Sequence, residues 1–197
     1  MKKVTLIFAL FAVFSIPLQA QDSDKKGGLG IRAGAGFFSF GGEDASNNDY
    51  DNRIGYNIGL YNTFFLGNSI AIEPGVFYSV KGTQNKDFAN SRAVLNYVDI
   101  PVLLRLYVSD GLNIFLGPQV SFLTRSTFEG DLFGSTVSFN TESVNNTDIG
   151  MLLGVGYNLP KGLNIQAAYN YGMSPVFKNT NADVYNRGYQ LSLGFTF

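Results

Sequence analysis

In separate segments from residue 29 onward, the chain alternates residue by residue between two kinds of side chain, and this period of two constrains its fold more than any other feature. The pattern recurs in eight segments, 29–40, 53–65, 70–81, 94–108, 112–125, 147–158, 163–175 and 188–197, each bounded by turn residues. A two-residue period places alternate side chains on opposite faces of a strand. The segments therefore predict eight strands with two chemically distinct faces.

One face is apolar throughout. It carries Leu29, Ile31, Ala33, Ala35 and Phe37, then Ile54, Tyr56, Ile58 and Leu60, then Val98, Ile100, Val102, Leu104 and Leu106. Ile149, Met151, Leu153, Val155 and Tyr157 continue it, and Tyr189, Leu191, Leu193, Phe195 and Phe197 close it. The opposite face is assigned the strand charges Arg32, Arg53, Glu73, Lys81, Asp99, Arg105, Arg125 and Asp148, together with the strand glycines. In a soluble barrel of lipocalin type the aliphatic face would fill the interior and the glycine-rich face would meet water, leaving a surface poor in charge. In a membrane barrel the aliphatic face meets lipid, where an Arg or Lys at mid-depth costs about 2–4 kcal/mol. The interior of an eight-stranded barrel is just wide enough for side chains to fill it. Glycines there make room for Phe77, Tyr97, Tyr107 and Phe115. The expectation is an all-β fold, an eight-stranded antiparallel up-and-down transmembrane β-barrel.

The connections alternate in length. Leu66 to Ser69, Ser109 to Gly111 and Leu159 to Gly162 are tight turns, whereas 41–52, 82–93, 126–146 and 176–187 are long and polar. Bacterial outer-membrane barrels keep short turns on the periplasmic side and long loops outside. Tyr56, Phe64, Tyr78, Phe122, Tyr157 and Tyr189 stand near strand ends, where aromatic girdles form. Pro74, Pro101 and Pro118 interrupt strands that need backbone donors, so local bulges are expected at them.

The amino terminus reads as an export signal. Met1-Lys2-Lys3 is a positive start, Val4 to Ile16 an apolar run, and Leu18-Gln19-Ala20 ends in a small residue. A run of this length falls short of the roughly 20 residues of a spanning helix. Residues 1–20 are read as a cleaved signal peptide, 21–28 as a periplasmic tail and 29–197 as the barrel domain, giving a cell outer-membrane location after secretion through the inner membrane. Removing Lys2 and Lys3 leaves 12 basic and 15 acidic side chains, a mild negative balance that gives no reason to expect nucleic acid.

The chain has no cysteine and no histidine. That removes lipoprotein attachment, disulfides, Ser-His-Asp and Cys-His catalysis and the usual zinc ligand sets. No catalytic, cofactor or metal residues are assigned, and a non-enzymatic protein is expected. The acidic loop residues Glu43, Asp44, Asp49 and Asp51 are oxygen ligands of the kind calcium uses, read here as a solvated acidic loop. Within the barrel, Glu73 is expected to pair with Arg105, with Arg32 near in height. Asp99 and Asp148 are expected to pair with Arg53, Lys81 or Arg125. Unpaired charge in a narrow interior is costly, so these eight residues are read as a structural polar plug.

The run Leu95-Asn96-Tyr97-Val98-Asp99-Ile100-Pro101-Val102-Leu103-Leu104-Arg105-Leu106-Tyr107 resembles a pattern of small outer-membrane barrels of Bacteroidetes, the PorT-like β-barrel family. Glu73-Pro74-Gly75-Val76-Phe77-Tyr78-Ser79 and Asn170-Tyr171-Gly172-Met173 carry the same resemblance. It implies a location and a fold; one branch of that family serves protein secretion and gliding, and no motif here selects that branch. The resemblance implies no catalytic residues. The function expected is a structural or interaction role through the outer loops, with outer-membrane lipid and other envelope proteins as partners. The alternative is a narrow channel for ions or small solutes, motivated by an inward excess of Arg32, Arg53, Lys81, Arg105 and Arg125 over Glu73, Asp99 and Asp148.

Overall fold

Alternation of large apolar and small or polar residues lets each strand be solvated by lipid on one side and packed on the other, and the backbone satisfies its polar groups only by pairing on both edges. The computed structural model shows this closure. It describes residues 27–46, 51–85, 91–132, 135–140, 143–178 and 182–197. The signal segment and most of the tail read in the sequence lie outside these residues, as does Asp49.

The elements are β1 (Gly28–Gly41), a single helical turn α1 (Glu43–Ser46), β2 (Asp51–Phe65), β3 (Ile70–Asn85), β4 (Ser91–Tyr107), β5 (Leu112–Leu132), β6 (Ser135–Asn140), β7 (Thr147–Asn158), β8 (Leu163–Gly172) and β9 (Tyr185–Thr196). Neighbours run β4-β3-β2-β1-β9-β8-β7-β5, and β4 pairs back with β5 to close the ring. All pairings are antiparallel. The barrel has eight staves. β6 is an annex: β5 pairs with β7 through Phe122, then continues and folds back on β6 from Thr127 to Leu132. The longest loop foreseen in the sequence thus extends a hairpin beyond the barrel wall. β3 and β4 also run on into the predicted 82–93 loop.

The face assignment holds along the wall. Leu29, Ile31, Phe37, Ile54, Tyr56, Ile58, Leu60, Leu153, Tyr157, Leu191, Leu193 and Phe197 are all exposed outward. Phe77, Tyr97, Tyr107 and Phe115 are buried inside. The glycines explain how these rings fit. A methyl group built on Gly55 of β2 or Gly188 of β9 would overlap the Phe38 ring of β1, which occupies the space both leave.

The expectation of bulges at the prolines needs correction. The prolines shift nothing: pairing lapses beside Pro74 and Pro101 in β3–β4 and beside Pro118 in β4–β5, then resumes in the same register. A missing donor costs ladder bonds there, not an inserted residue. The true bulges lie nearer the long-loop end. β2 gains one residue between Asn52 and Tyr56 opposite Thr83–Val80, and β5 gains one at Thr124, since Tyr97 pairs with Leu123 and Asn96 with Arg125. An extra residue reverses the facing of everything beyond it.

Candidate functional site: the lumen

Inward side chains stack into layers along the barrel axis. At the short-turn end Phe65, Ala71 and Tyr107 form an apolar floor, with the rings of Phe65 and Tyr107 5.1 Å apart. Above it lies an ion cluster. Glu73 of β3 accepts from Arg32 Nη1 of β1 at 2.7 Å and from Arg105 Nη2 of β4 at 2.8 Å, both on Oε1. Thr63 donates its hydroxyl to Oε2 at 3.0 Å. Arg105 reaches further, to Asn113 Oδ1 at 2.7 Å and Gln166 Oε1 at 2.6 Å. Arg32 lies 3.9 Å over the Tyr61 ring, and the Tyr61 hydroxyl accepts from Asn164 Nδ2 at 2.7 Å. The lower cluster therefore ties together β1, β2, β3, β4, β5 and β8 around one carboxylate and two guanidiniums.

Leu103, Phe115, Leu152 and Ala168 make the next, apolar layer. Beside it is a cavity of about 20 Å³ lined by Asp99, Gln119, Gln166 and Gln190 among others, room for about one water molecule. The upper polar layer follows. Asp99 accepts from Lys81 Nζ at 3.1 Å on Oδ1 and from the Ser79 hydroxyl at 2.6 Å on Oδ2. Lys81 Nζ also stands 5.1 Å from the Tyr97 ring centre. Asp148 accepts from Asn186 Nδ2 at 2.8 Å on Oδ2, while its buried Oδ1 has no hydrogen-bond partner among the described residues.

The long-loop end is covered. Ala45, Val144, Val176 and Val184, all outside the strands, pack onto Phe40, Ala93, Leu95 and Tyr97 of the wall. Backbone bonds from Asn145 to Val176 and from Val176 to Val184 tie the covering segments to one another.

Of the eight charges assigned to the lumen, the structure brings six there in two groups: Arg32, Glu73 and Arg105 below, and Lys81, Asp99 and Asp148 above. Arg125 is not among them. The extra residue at Thr124 turns it to the outside, where it is exposed. Arg53, at the β2 bulge, is half-buried and has Glu129 and Arg92 as charged neighbours, away from Asp99 and Asp148. The inward basic excess expected from the sequence therefore shrinks: three buried cations face three carboxylates, and half-buried Arg53, in register with the inward Phe38, is the one further cation of the eight on that face. Among the described residues no group of His, Cys, Asp and Glu side chains is placed to hold a metal ion. In the acidic loop, Asp44 Oδ2 accepts from the Asp183 backbone N–H at 2.7 Å.

One functional candidate was missed in the sequence. Arg187 lies one residue before the expected start of the last strand, and β9 begins at Tyr185, so Arg187 is part of the wall and faces outward beside Tyr171. Its guanidinium lies 3.8 Å from the centre of the Tyr171 ring.

A closed eight-stranded barrel with a lipid-compatible outside and a packed polar inside is the architecture of small outer-membrane proteins. The chain belongs to the outer membrane protein beta-barrel domain family, which it matches over residues 19–178. Comparison with curated proteins finds no match. Among solved structures it is similar in fold to Neisserial surface protein A, with a TM-score of 0.57 at 15% identity over 88% of this chain and 100% of that one. Ail, the attachment invasion locus protein of Yersinia pestis, is similar with a TM-score of 0.52 at 16% identity, again over 88% and 100%. The protein is an outer-membrane β-barrel.

Proposed function

We propose that this barrel is a non-enzymatic envelope protein that works as a rigid scaffold, presenting its long-loop end to other envelope components while its wall is held by lipid. The observation that carries this reading is the lumen. It is floored by Phe65 and Tyr107, crossed by two ion-paired layers and covered by Ala45, Val144, Val176 and Val184. Glu73 and Asp99, the carboxylates that acid-base chemistry would use, are committed to Arg32, Arg105 and Lys81. The β5–β6 hairpin, projecting past the last β5–β7 pair, supports an outward-facing role. The resemblance to PorT-like barrels of Bacteroidetes, and the export signal at residues 1–20, support an envelope component reached by secretion through the inner membrane.

Planar-bilayer recording with the mature chain, after heat-modifiable gel migration has verified folding, tests the reading. Silent membranes are expected. Steady single-channel steps would replace it with a narrow channel for ions or small solutes. Fractionation of cells should place the chain with the outer membrane, and recovery as a soluble periplasmic monomer would overturn the proposal.

A further inference from the structure

The outer wall carries a hollow that the lumen does not explain. Ala35 of β1, Leu191 of β9 and Ala167 of β8 stand opposite one another in a single row across three adjacent strands. The two alanines leave a groove of about 680 Å³, flanked by Leu153 and headed by Tyr169 and Tyr189. Those two rings lie 4.7 Å apart, tilted by 41° to each other. A second hollow of about 230 Å³ continues down the same wall at Ala33, Leu193 and Phe195. Together they run along β9 from Tyr189 to Phe195, about 20 Å of strand, which at the tilt of such strands covers about 15 Å of the roughly 25 Å apolar band.

Directly above the groove, two residues and about 7 Å along β9, Arg187 faces outward. Its hydrogen bonds, to the carbonyls of Gly172 and Asn186, both run from Nη1. No described carboxylate lies within salt-bridge distance of it, and the nearby Asp183 accepts from the Tyr185 hydroxyl at 3.0 Å. The guanidinium has five donors in a planar fork that matches phosphate oxygens, so Nη2 and Nε remain for a ligand. A cation on the lipid face is tolerated at the level of the headgroups, where an anionic partner is at hand. A second copy is a poor occupant. Two barrels inserted in the same direction and sharing this face would be related by an axis along the membrane normal, which brings Arg187 against the Arg187 of the partner subunit.

We infer that the β8–β9–β1 face is a specific site for a phosphate-bearing lipid of the outer leaflet, with its phosphate on Arg187 and one acyl chain in the alanine groove. Tyr171 and Tyr185 hold the guanidinium in place by ring contacts at 3.8 and 5.3 Å, so its position is set before the lipid arrives.

The test is native mass spectrometry of the folded mature barrel released from detergent, with dioleoyl phosphatidic acid, dioleoyl glycerol and inorganic phosphate as separate probes. One phosphatidic acid should be retained, whereas the glycerol lipid, which lacks phosphate, and inorganic phosphate, which lacks chains, should neither be retained nor displace it at equal concentration. Arg187→Gln should weaken retention about tenfold, the scale of a charge-assisted hydrogen bond. Arg187→Lys should weaken it less, and Lys161→Gln, at the opposite end of the barrel, should leave it unchanged. Ala167→Trp should abolish it by filling the groove without altering charge. Ala35→Met fills the same groove if the Trp variant does not show heat-modifiable migration. Unchanged retention by Arg187→Gln would overturn the phosphate contact. Unchanged retention by the groove-filled variant, or displacement by inorganic phosphate, would overturn the acyl-chain site.

Discussion

Glu73 and Arg105 face each other from neighbouring strands across 2.8 Å, and the same carboxylate oxygen is held by Arg32 at 2.7 Å. One buried anion thus compensates two buried cations. Glu73→Ala should leave both guanidiniums without their carboxylate in a packed interior and cost about 3–5 kcal/mol, the penalty for breaking a buried pair. Urea unfolding of the barrel in lipid vesicles, followed by circular dichroism, measures this. A midpoint equal to that of the unaltered chain would show that the cluster contributes nothing to stability.

Phe38 fills the space left by Gly55 and Gly188 on the strands to either side. Gly188→Ala should force that ring from its place and destabilise the barrel by about 1–3 kcal/mol, as overpacking does. Shrinking the ring should relieve the clash, so Phe38→Leu in the same chain is expected to recover part of the loss. A double-mutant cycle reads the coupling directly. Strict additivity of the two changes would contradict the contact.

The wall makes a depth-dependent prediction. Leu153 lies midway along β7 and faces outward, whereas Leu66 is exposed in the β2–β3 turn. Leu153→Arg should reduce folding stability by about 2–4 kcal/mol and Leu66→Arg by about 0–1 kcal/mol, the difference between midplane and interface. Folding yield into vesicles, scored by heat-modifiable migration, separates them. Equal yields would mean that Leu153 does not face lipid.

The wall and the lower ion cluster were legible in the sequence because lipid and a packed lumen demand opposite side chains at adjacent positions. Glycine beside aromatic residues, and charge confined to one face through the middle of the wall, leave little choice of fold or facing. Glu73 and Arg105 were recognisable as partners from their equal height on adjacent strands. Arg125 was not placed correctly, because the inserted residue at Thr124 leaves alternation intact on either side of it and only the pairing with Asn96 shows the reversal. Arg53 keeps the face that alternation gives it, opposite Phe38, and only its neighbours Glu129 and Arg92, from the strand extensions, were not legible. The apolar cover at the long-loop end depends on Val144, between β6 and β7, and on Val176 and Val184, eight residues apart in the β8–β9 loop, and these carry no shared period. Arg187 was lost because the glycine following it looked like the start of the strand.

The upper lumen separates two buried carboxylates by their partners. Asp99 is satisfied by Lys81 and Ser79, whereas Asp148 has Asn186 on one oxygen and no hydrogen-bond partner among the described residues on the other. Removing the charge of Asp99 strands Lys81, so Asp99→Asn should cost about 3 kcal/mol, the lower end for breaking a buried pair. Asp148→Asn removes a charge that burial penalises and that no cation directly touches, while Oδ1 of the amide still accepts from Asn186. Its expected effect lies within about 1 kcal/mol of zero, since a lost buried charge offsets a weakened hydrogen bond. Unfolding midpoints of the two variants, taken side by side in the same vesicles, decide the matter. A larger loss for Asp148→Asn than for Asp99→Asn would mean that Lys81 chiefly serves Asp148, and the pairing assigned to the upper layer would have to be reversed.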